Sequence, residues 1–347
     1  MCAADPAPSA AAAAPVALPL TDAYGRTATD LRVSLTDRCN LRCVYCMPEE
    51  GLAWLRRDEL LTDDELVRLV GIATSMLGVT QVRLTGGEPL IRPGLPRLVE
   101  RFARLTRPPE LSITTNALGL ARLAQPLAEA GLRRVNVSLD TVDPDVFVRL
   151  TRRDRLADVL AGLTAAAQAG LAPVKVNAVL MRGVNEAGAA DLLAFCLEHG
   201  YELRFIEQMP LDAQHGWSRA QMVTAAQIRA LLQERFDLVP EDAKLRGASP
   251  ARRYVVDGGP GTVGIIASVT EPFCGACDRT RLTADGQMRT CLFATTESDL
   301  RTPMRAGASD EELALQWQQA MATKLPGHGI DDPSFLQPNR PMSAIGG

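Results

Sequence analysis

The stretch LRVSLTDRCNLRCVYC, residues 31–46, joins a short strand-like run to three closely spaced cysteines. The run LRVSLT is apolar and bounded by polar residues, which is typical of a β-strand. The cysteines that follow have the spacing C-x3-C-x2-C, which is uneven and stops at three thiols. The sequence therefore predicts a strand that ends in a loop with a thiolate site.

Strand-like runs recur at regular intervals through the first two thirds of the chain. They are QVRLTGG (81–87), LSITTN (111–116), RVNVSLD (134–140), VKVNAVL (174–180) and ELRFIEQM (202–209). Segments with helical periodicity separate them, and six alternating strand–helix units predict parallel strands. Polar residues stand at the carboxyl ends of these strands, and a barrel would gather them at one mouth. We therefore predict an α/β fold, an incomplete (β/α)6 TIM-type barrel.

The pattern changes after residue 236. The runs RRYVVD, TVGIIAS, TRLTAD and QMRTCLF alternate like antiparallel strands, and one helix follows at EELALQWQQAMATKL. We predict a smaller C-terminal α+β segment that closes the barrel mouth. The predicted organisation is a disordered Ala/Pro-rich extension at 1–23, the partial barrel at 24–236, and a cluster-binding domain with a Gly-Gly tail at 237–347.

Composition excludes several classes of function. The 347-residue chain has a formal net charge of −4, so no global basic field would attract nucleic acid. An anionic ligand would need a local cluster of arginines instead. Outside the Ala/Pro-rich stretch there is no apolar run long enough for a membrane span, and we predict a cytoplasmic protein. The phosphate-loop motif G-x-x-x-x-G-K-[ST] and the G-x-S-x-G nucleophile motif are both missing from the sequence.

Six of the eight cysteines fall into two triplets, Cys39, Cys43 and Cys46, and Cys274, Cys277 and Cys291. Structural zinc takes four ligands, so three thiolates leave it one short. Three thiolates on a four-iron cubane leave one iron open for another ligand. This favours an iron–sulfur cluster at the first triplet, whereas zinc and iron remain open for the second triplet taken alone. Cys196, in an apolar helical pattern, is predicted to be a small buried side chain.

Three separated motifs resemble one enzyme family. The first triplet with its aromatic Tyr45, together with TGGEP at 85–89, resembles the radical S-adenosylmethionine superfamily. TDRCNLRCVYCMP, FCGACDRTRLTADGQMRTCLF and the terminal IGG resemble the GTP 3′,8-cyclase family within it, from about Gly25 to Gly347. The resemblance implies two 4Fe-4S clusters, S-adenosyl-L-methionine as cofactor and GTP as substrate. It also implies conversion of GTP to 3′,8-cyclo-7,8-dihydro-GTP, the first step of molybdenum cofactor biosynthesis.

The same resemblance implies a role for individual residues. The six triplet cysteines would bind the clusters, and Tyr45, Gly87, Ser138 and Met209 would contact S-adenosylmethionine. GTP would be held by Arg32, Arg83, Thr114, Lys175, Arg279, Thr280 and Arg281, and the catalytic set would be Arg279, Arg281, Gly346 and Gly347. Implied partners are an electron donor such as flavodoxin or ferredoxin and the downstream cyclic pyranopterin monophosphate synthase. No nucleic acid and no membrane are implied, and a homodimer is allowed.

Two other functions fit part of this pattern. A zinc-stabilised nucleotide-binding regulator would use both triplets structurally and the arginines for binding without turnover. A peptide-modifying radical enzyme would also have extra C-terminal cysteines. The RTR run at 279–281 and the terminal IGG argue against the peptide-modifying enzyme.

Overall fold

The computed structural model describes residues 18–332 and 335–346. The strands are β1 Leu20–Thr21, β2 Thr27–Ala28, β3 Asp30–Ser34, β4 Gln81–Thr85, β5 Glu110–Thr115, β6 Arg134–Ser138, β7 Val174–Leu180, β8 Glu202–Glu207, β9 Leu238–Pro240, β10 Arg252–Val256, β11 Thr262–Ile266, β12 Arg279–Leu282, β13 Gln287–Arg289 and β14 Ser298–Asp299. The helices are α1 Asp63–Ser75, α2 Leu95–Ala103, α3 Leu120–Glu129, α4 Pro144–Thr151, α5 Leu156–Gln168, α6 Ala189–Glu198, α7 Ala225–Gln233, α8 Arg301–Arg305, α9 Asp310–Ala322 and α10 Met342–Ile345.

One large sheet organises the fold. Within the described residues it has twelve strands in the order β14-β13-β12-β3-β4-β5-β6-β7-β8-β11-β10-β9. The six strands β3 to β8 are parallel neighbours in chain order, which confirms the strands predicted from the six strand–helix units. The protein is a mixed α/β fold built on a mostly parallel sheet.

The C-terminal strands extend this sheet at both edges. The predicted antiparallel pairing is confirmed between β10 and β11 and between β12 and β13, but the prediction did not include the parallel pairs that join them to the sheet. β12 lies parallel to β3, with Arg281 opposite Arg32, and β11 lies parallel to β8, with Ile265 opposite Phe205. Only their outer neighbours β13, β14, β10 and β9 pair in the antiparallel sense. Alternation along a strand reports that it has two faces, and it contains no information about the direction of the neighbouring strand.

Capping residues mark the start of two helices. Thr62 and Glu65 form a reciprocal capping box at the start of α1, so two of the free amide groups are satisfied there. Asp143 accepts a hydrogen bond from the Val146 amide at the start of α4, with Pro144 in the first helical turn. These local signals fix where the helices begin and therefore where the strand-to-helix loops stand.

The two faces of the sheet differ in chemistry. One face packs on helices, and its side chains are apolar and buried, as for Leu31, Val33, Val82 and Leu84. The predicted burial of Cys196 is confirmed, since this side chain is fully buried in α6. The opposite face is polar and is described below.

The first described residues already belong to this fold. Leu20 is fully buried and pairs with Ala28, although the predicted extension included it. Most of that extension, residues 1–17, lies outside the described residues. Among the helices of the described part, none has the length and apolar character that crossing a bilayer requires.

Candidate active site

Polar side chains from successive strands form one continuous surface on the sheet, which we call the polar face. Alternation places Arg32 of β3, Arg83 of β4 and Arg281 of β12 on the same side of their strands. The strand register puts Arg281 opposite Arg32 and Arg32 opposite Arg83, so the three arginines stand in one row. A second row contains Thr114, Asn136 and Lys175, which are also direct neighbours across strands.

The polar face is strongly basic. Burial by itself would raise the pKa of Asp30, but four neighbouring guanidinium groups hold that pKa below its usual value; they belong to Arg32, Arg83, Arg279 and Arg281. Burial and the charge of Arg32 lower the pKa of Arg281 to about 9. Like charges therefore crowd together on this face, and an anion bound among them would relieve the repulsion.

Several of these arginines have hydrogen-bond donors without a partner. Among the described residues, the buried Nε groups of Arg32, Arg83, Arg204 and Arg279 donate to no acceptor. A buried donor without an acceptor costs roughly 1–3 kcal/mol. The predicted GTP residues Arg32, Arg83, Thr114, Lys175, Arg279 and Arg281 all lie on this face, which has the charge and the free donors that a polyphosphate needs.

Thr280 does not join them. It stands between Arg279 and Arg281 in β12, so its side chain points to the opposite face of the sheet. There its hydroxyl accepts a hydrogen bond of 3.2 Å from Trp317 Nε1 of α9, and both side chains are fully buried. The Thr280 hydroxyl therefore does not face the arginines, and a contact between this residue and GTP stays a prediction.

The first cysteine triplet lies in the loop after β3, at the carboxyl end of the parallel strands. Burial raises the pKa of Cys39 to about 11 and that of Cys46 to about 12. The charges of Cys46 and Cys39 act on Cys43, and the charge of Cys39 acts on Cys46, so the three thiols form one group. Neutral thiols are favoured here in the absence of a counter-charge, and a positively charged iron centre would supply it.

Gly86 and Gly87 explain how this loop is held. A Cβ on Gly86 would lie 2.3 Å from the carbonyl oxygen of Thr36, and one on Gly87 would lie 2.2 Å from that of Arg38. The Gly87 amide donates to Thr36 and the Glu88 amide donates to Arg38. The TGGE motif thus packs directly against the backbone that leads into Cys39, which only glycine permits.

The second triplet lies at the other end of β3. Cys277 precedes β12, whose first residue, Arg279, pairs with Asp30 at the start of β3. The charges of Cys291 and Cys277 both act on Cys274, so these thiols also form one group. The polar face therefore extends between the two triplets, whereas the sequence had suggested that all these residues gather at one mouth.

Lys324 is a residue of this second group that the sequence did not reveal. Its side chain is buried, and Nζ lies 3.4 Å from Cys277 Sγ and 2.9 Å from the Arg279 carbonyl oxygen. Burial opposes it, but the charges of Lys324 and Arg279 lower the pKa of Cys277. A lysine just beyond an amphipathic helix has no sequence signal that distinguishes it from a surface residue.

The C-terminal tail lies between the triplets. The Gly346 carbonyl oxygen accepts a hydrogen bond from Arg281 Nη1, and Ile345 is buried against Leu211 and Phe293 in a cluster that also contains Cys291. A backbone hydrogen bond from Ser343 reaches Cys46. A Cβ on Gly346 would lie 2.3 Å from Thr85 Oγ1. Gly347 lies outside the described residues.

The predicted contacts of S-adenosylmethionine lie near the first triplet and the tail. Tyr45 donates a hydrogen bond of 2.8 Å to Asp140, which also accepts from the Val179 amide. Ser138 ends β6 on the polar face, opposite Asn177. Met209 packs with the Ile345 cluster.

Arg204 of β8 is a further residue on the polar face that the sequence analysis missed. Its Nη2 donates a hydrogen bond of 2.8 Å to Asn136, and burial lowers its pKa to about 10. It stands between apolar neighbours in its strand, as Arg32 and Arg83 do in theirs. That alternation could therefore have identified it.

The donor set suits clusters better than a single ion. In the part of the chain that is described, no three His, Cys, Asp or Glu side chains converge on one ion position. A cubane does not require three side chains to converge on one position, because each cysteine thiolate binds its own iron. Two groups of three cysteines fit that chemistry.

Comparison with known proteins now identifies the family. Residues 33–196 match the Radical SAM superfamily, and residues 201–330 match Molybdenum Cofactor Synthesis C. The GTP 3′,8-cyclase of Streptomyces coelicolor is 66% identical over 328 residues, which cover 94% of this chain and 96% of that protein. The chain belongs to the GTP 3′,8-cyclase family. Another member, from Mycolicibacterium smegmatis, is 59% identical and covers 97% of this chain and 94% of its own length.

Two solved structures with low sequence identity to this chain share its fold. The chain resembles anSMEcpe with bound AdoMet with a TM-score of 0.58 at 15% identity, over 87% of this chain and 82% of that one. It resembles Streptococcus suis SuiB bound to S-adenosylmethionine with a TM-score of 0.55 at 15% identity, over 84% and 68% of the two chains. At this identity the likeness concerns the fold alone.

Proposed function

We propose that this chain converts GTP to 3′,8-cyclo-7,8-dihydro-GTP, the first step of molybdenum cofactor biosynthesis. The observation that carries the proposal is the basic polar face with unpartnered arginine donors between two cysteine triplets. We further propose that the mostly parallel sheet curves into a partial barrel around this face. The relatives named GTP 3′,8-cyclase match nearly the whole chain, which supports GTP as the substrate.

The residues present fit the cofactors that this reaction needs. Cys39, Cys43 and Cys46 would hold one 4Fe-4S cluster with S-adenosyl-L-methionine, and we propose a second 4Fe-4S cluster on Cys274, Cys277 and Cys291. When bound, the first cluster and S-adenosylmethionine supply a carbon-centred radical that can remove a hydrogen atom from the GTP ribose. Tyr45, Gly87, Ser138 and Met209 are the proposed contacts of S-adenosylmethionine.

The chain's own residues bind and orient GTP. Arg32, Arg83, Lys175, Arg204, Arg279 and Arg281 would hold the triphosphate and base through charge-assisted hydrogen bonds, with Thr114 adding a hydroxyl. Arg281 has a second task, because it already donates to the Gly346 carbonyl oxygen. The tail, with Gly346 and Gly347, would complete the site and exclude water from it.

Metal analysis of the anaerobically reconstituted protein tests the cluster assignment. We expect about eight irons per chain, four at each triplet. Replacing Cys274, Cys277 and Cys291 together by serine should leave about half of the iron. Replacing Cys39, Cys43 and Cys46 should abolish reductive cleavage of S-adenosylmethionine. A colourless protein with stoichiometric zinc would contradict the proposal and support the zinc-stabilised regulator.

Binding measurements test the substrate site separately. Arg279→Ala and Arg281→Ala should each weaken GTP binding by roughly 1.5–3 kcal/mol, the range for a hydrogen bond to a charged group. Iron content should not change, because arginine is not a ligand. Arg101→Ala removes an exposed arginine of α2 and is the matched control. Unchanged GTP affinity in both site variants would show that the substrate binds elsewhere.

The proposed function also implies partners. An electron donor such as flavodoxin or ferredoxin would reduce the first cluster, and cyclic pyranopterin monophosphate synthase would consume the product. A homodimer is compatible with these roles.

A further inference from the structure

A cavity lies beside the first cysteine triplet, separate from the polar face. It has a volume of about 680 Å³, and Asn40, the neighbour of Cys39, is one of its lining residues. Asn116 Nδ2 donates a hydrogen bond of 2.7 Å to Asn40 Oδ1 and lies 3.7 Å from Cys39 Sγ. A molecule in this cavity that contacts Asn40 would therefore be connected to Cys39 through Asn116.

Three arginines line part of this cavity, together with the carboxylates of Asp154 and Asp158. Arg122 of α3 lines it, as do Arg153 and Arg155 in the turn between α4 and α5. All three are exposed, and Arg155 pairs with Asp158. Within the described part of the chain, Arg122 and Arg153 have no carboxylate partner. The segment RLTRRDR, 149–155, has four arginines against one aspartate in a chain whose net charge is −4. None of these arginines is among the residues proposed to bind GTP.

The basic segment is attached directly to the cysteine loop. The Val44 amide donates to Leu150 at 2.9 Å, and the Arg42 amide donates to Thr151 at 3.0 Å. Arg152 Nη1 donates to the Arg42 and Met47 carbonyl oxygens. A protein that contacts this segment would therefore be held at a fixed position relative to the first triplet.

We propose that this surface, the donor face formed by Asn40, Arg122, Arg153 and Arg155, docks an acidic protein that carries one electron on a flavin or an iron–sulfur centre. The inference rests on the proposed function, which requires reduction of the first cluster. In the transfer the carrier is oxidised by one electron and the first cluster is reduced by one, with no bond made or broken. Charge complementarity favours an acidic carrier and speeds its association, and weak electron-transfer complexes need only a small contact area.

A matched pair of double variants tests the donor face. Arg122→Glu with Arg153→Glu reverses two charges at the donor face. Arg107→Glu with Arg133→Glu makes the same change in net charge on exposed residues that precede β5 and β6, at the amino ends of these strands, whereas the first triplet lies at the carboxyl ends. Reduced flavodoxin of strongly negative net charge is the probe. Its association rate is measured by stopped flow at low and high salt, together with turnover driven by flavodoxin or by dithionite.

We expect the donor-face variant to lower the association rate about tenfold at low salt, with most of the difference lost at high salt because ions screen the charges. Turnover driven by flavodoxin should fall, whereas turnover driven by dithionite should match that of the unaltered protein. The control variant should resemble the unaltered protein in every measurement. Equal association rates for the two double variants would overturn the proposal. If dithionite supports no cleavage of S-adenosylmethionine in the unaltered protein, the proposed function fails. The association rates still show whether flavodoxin docks at the donor face.

Discussion

Individual residues on the polar face are constrained by what stands next to them. Gly346 has a φ of +86° and approaches Thr85 so closely that no side chain fits, while its carbonyl oxygen accepts from Arg281. The residue combines a left-handed backbone with close packing, and both features exclude a Cβ. The tail therefore has one residue whose identity is set by geometry.

Gly346→Ala should separate the tail from the site without unfolding the protein. The new methyl group would collide with Thr85 Oγ1, so the tail must shift and the bond from Arg281 is lost. We expect the cyclisation rate to fall about 100-fold, as for other small misplacements at a reacting centre. Iron content and GTP affinity should stay nearly constant. Gly307→Ala is the control, because Gly307 has a φ of +94° and open space around it. Full activity in the Gly346 variant would show that the tail has no part in the reaction.

Glu88 gives the protein a pH dependence of stability. It is buried beneath the first triplet, accepts hydrogen bonds from Leu90, Thr115 and Asn116, and burial raises its pKa to about 7. An unfolded glutamate has a pKa of about 4.3. Between about pH 4.3 and pH 7 the folded state therefore binds one more proton than the unfolded state. The contribution of Glu88 to the free energy of unfolding is therefore present below about pH 4.3 and is lost as pH rises toward 7, by roughly 3 kcal/mol in all.

Glu88→Gln should remove this decrease in the free energy of unfolding with rising pH. Urea unfolding at about pH 5 and pH 7.5 should show that the variant gains stability relative to the unaltered protein as pH rises, because glutamine does not titrate. Glu234→Gln changes an exposed carboxyl at the end of α7 and should leave the slope unchanged. The same slope in the Glu88 variant would place the titrating group elsewhere.

At the scale of elements, the tail docks through a small ionic network. Arg340 forms two hydrogen bonds with Asp285, at 3.0 and 2.7 Å, and an ion pair of 2.9 Å with Glu297. Glu297 also pairs with Arg289, which donates to carbonyl oxygens on either side of Phe293, in the loop that contains Cys291. Helix α10 follows directly. The network therefore fixes the tail to the part of the chain that contains the second triplet.

Arg340→Met should loosen α10. Charge-assisted hydrogen bonds of this kind contribute roughly 1.5–3 kcal/mol, so we expect tail amides to exchange about 10- to 100-fold faster. Hydrogen exchange followed by mass spectrometry on the peptide that contains Met342 and Gly346 measures this. Arg305→Met is the control, since Arg305 pairs with Glu65 outside the tail. Unchanged tail exchange in the Arg340 variant would mean that Ile345 packing alone holds the helix.

At the scale of the whole molecule, the polar face costs stability in the absence of a ligand. Burial and the charge of Arg32 lower the pKa of Arg83 well below its usual value, and its Nε has no acceptor among the described residues. Functional sites often retain such unfavourable arrangements because the ligand compensates them. GTP should accordingly stabilise the fold, since it binds only the folded state.

Arg83→Met should raise the thermal midpoint of the ligand-free protein by about 2–4 °C, the shift expected for about 1 kcal/mol in a protein of this size. The further rise on addition of GTP should shrink or vanish, because a phosphate contact is gone. Thermal unfolding with and without GTP measures both effects, and Arg97→Met, on the exposed side of α2, should change neither. A lower midpoint with an intact GTP effect would contradict the prediction.

The sequence by itself determined the features that depend on near neighbours in the chain. Period-two runs located the six parallel strands, Thr62 and Glu65 marked the start of α1, and the spacing of the cysteines defined two triplets. The alternation that placed Arg279 and Arg281 on one face also implied that Thr280 faces the other way. These signals are reliable because strand faces and helix caps are set within a few residues.

Only the tertiary structure decided which distant segments meet. It made β12 a parallel neighbour of β3, put the triplets at opposite ends of that strand, and brought Lys324 to Cys277 and Arg340 to Asp285. No local pattern distinguishes these two cations from the solvated lysines and arginines of other helix ends. Their partners lie 47 and 55 residues away along the chain, so their positions depend on how the whole sheet assembles.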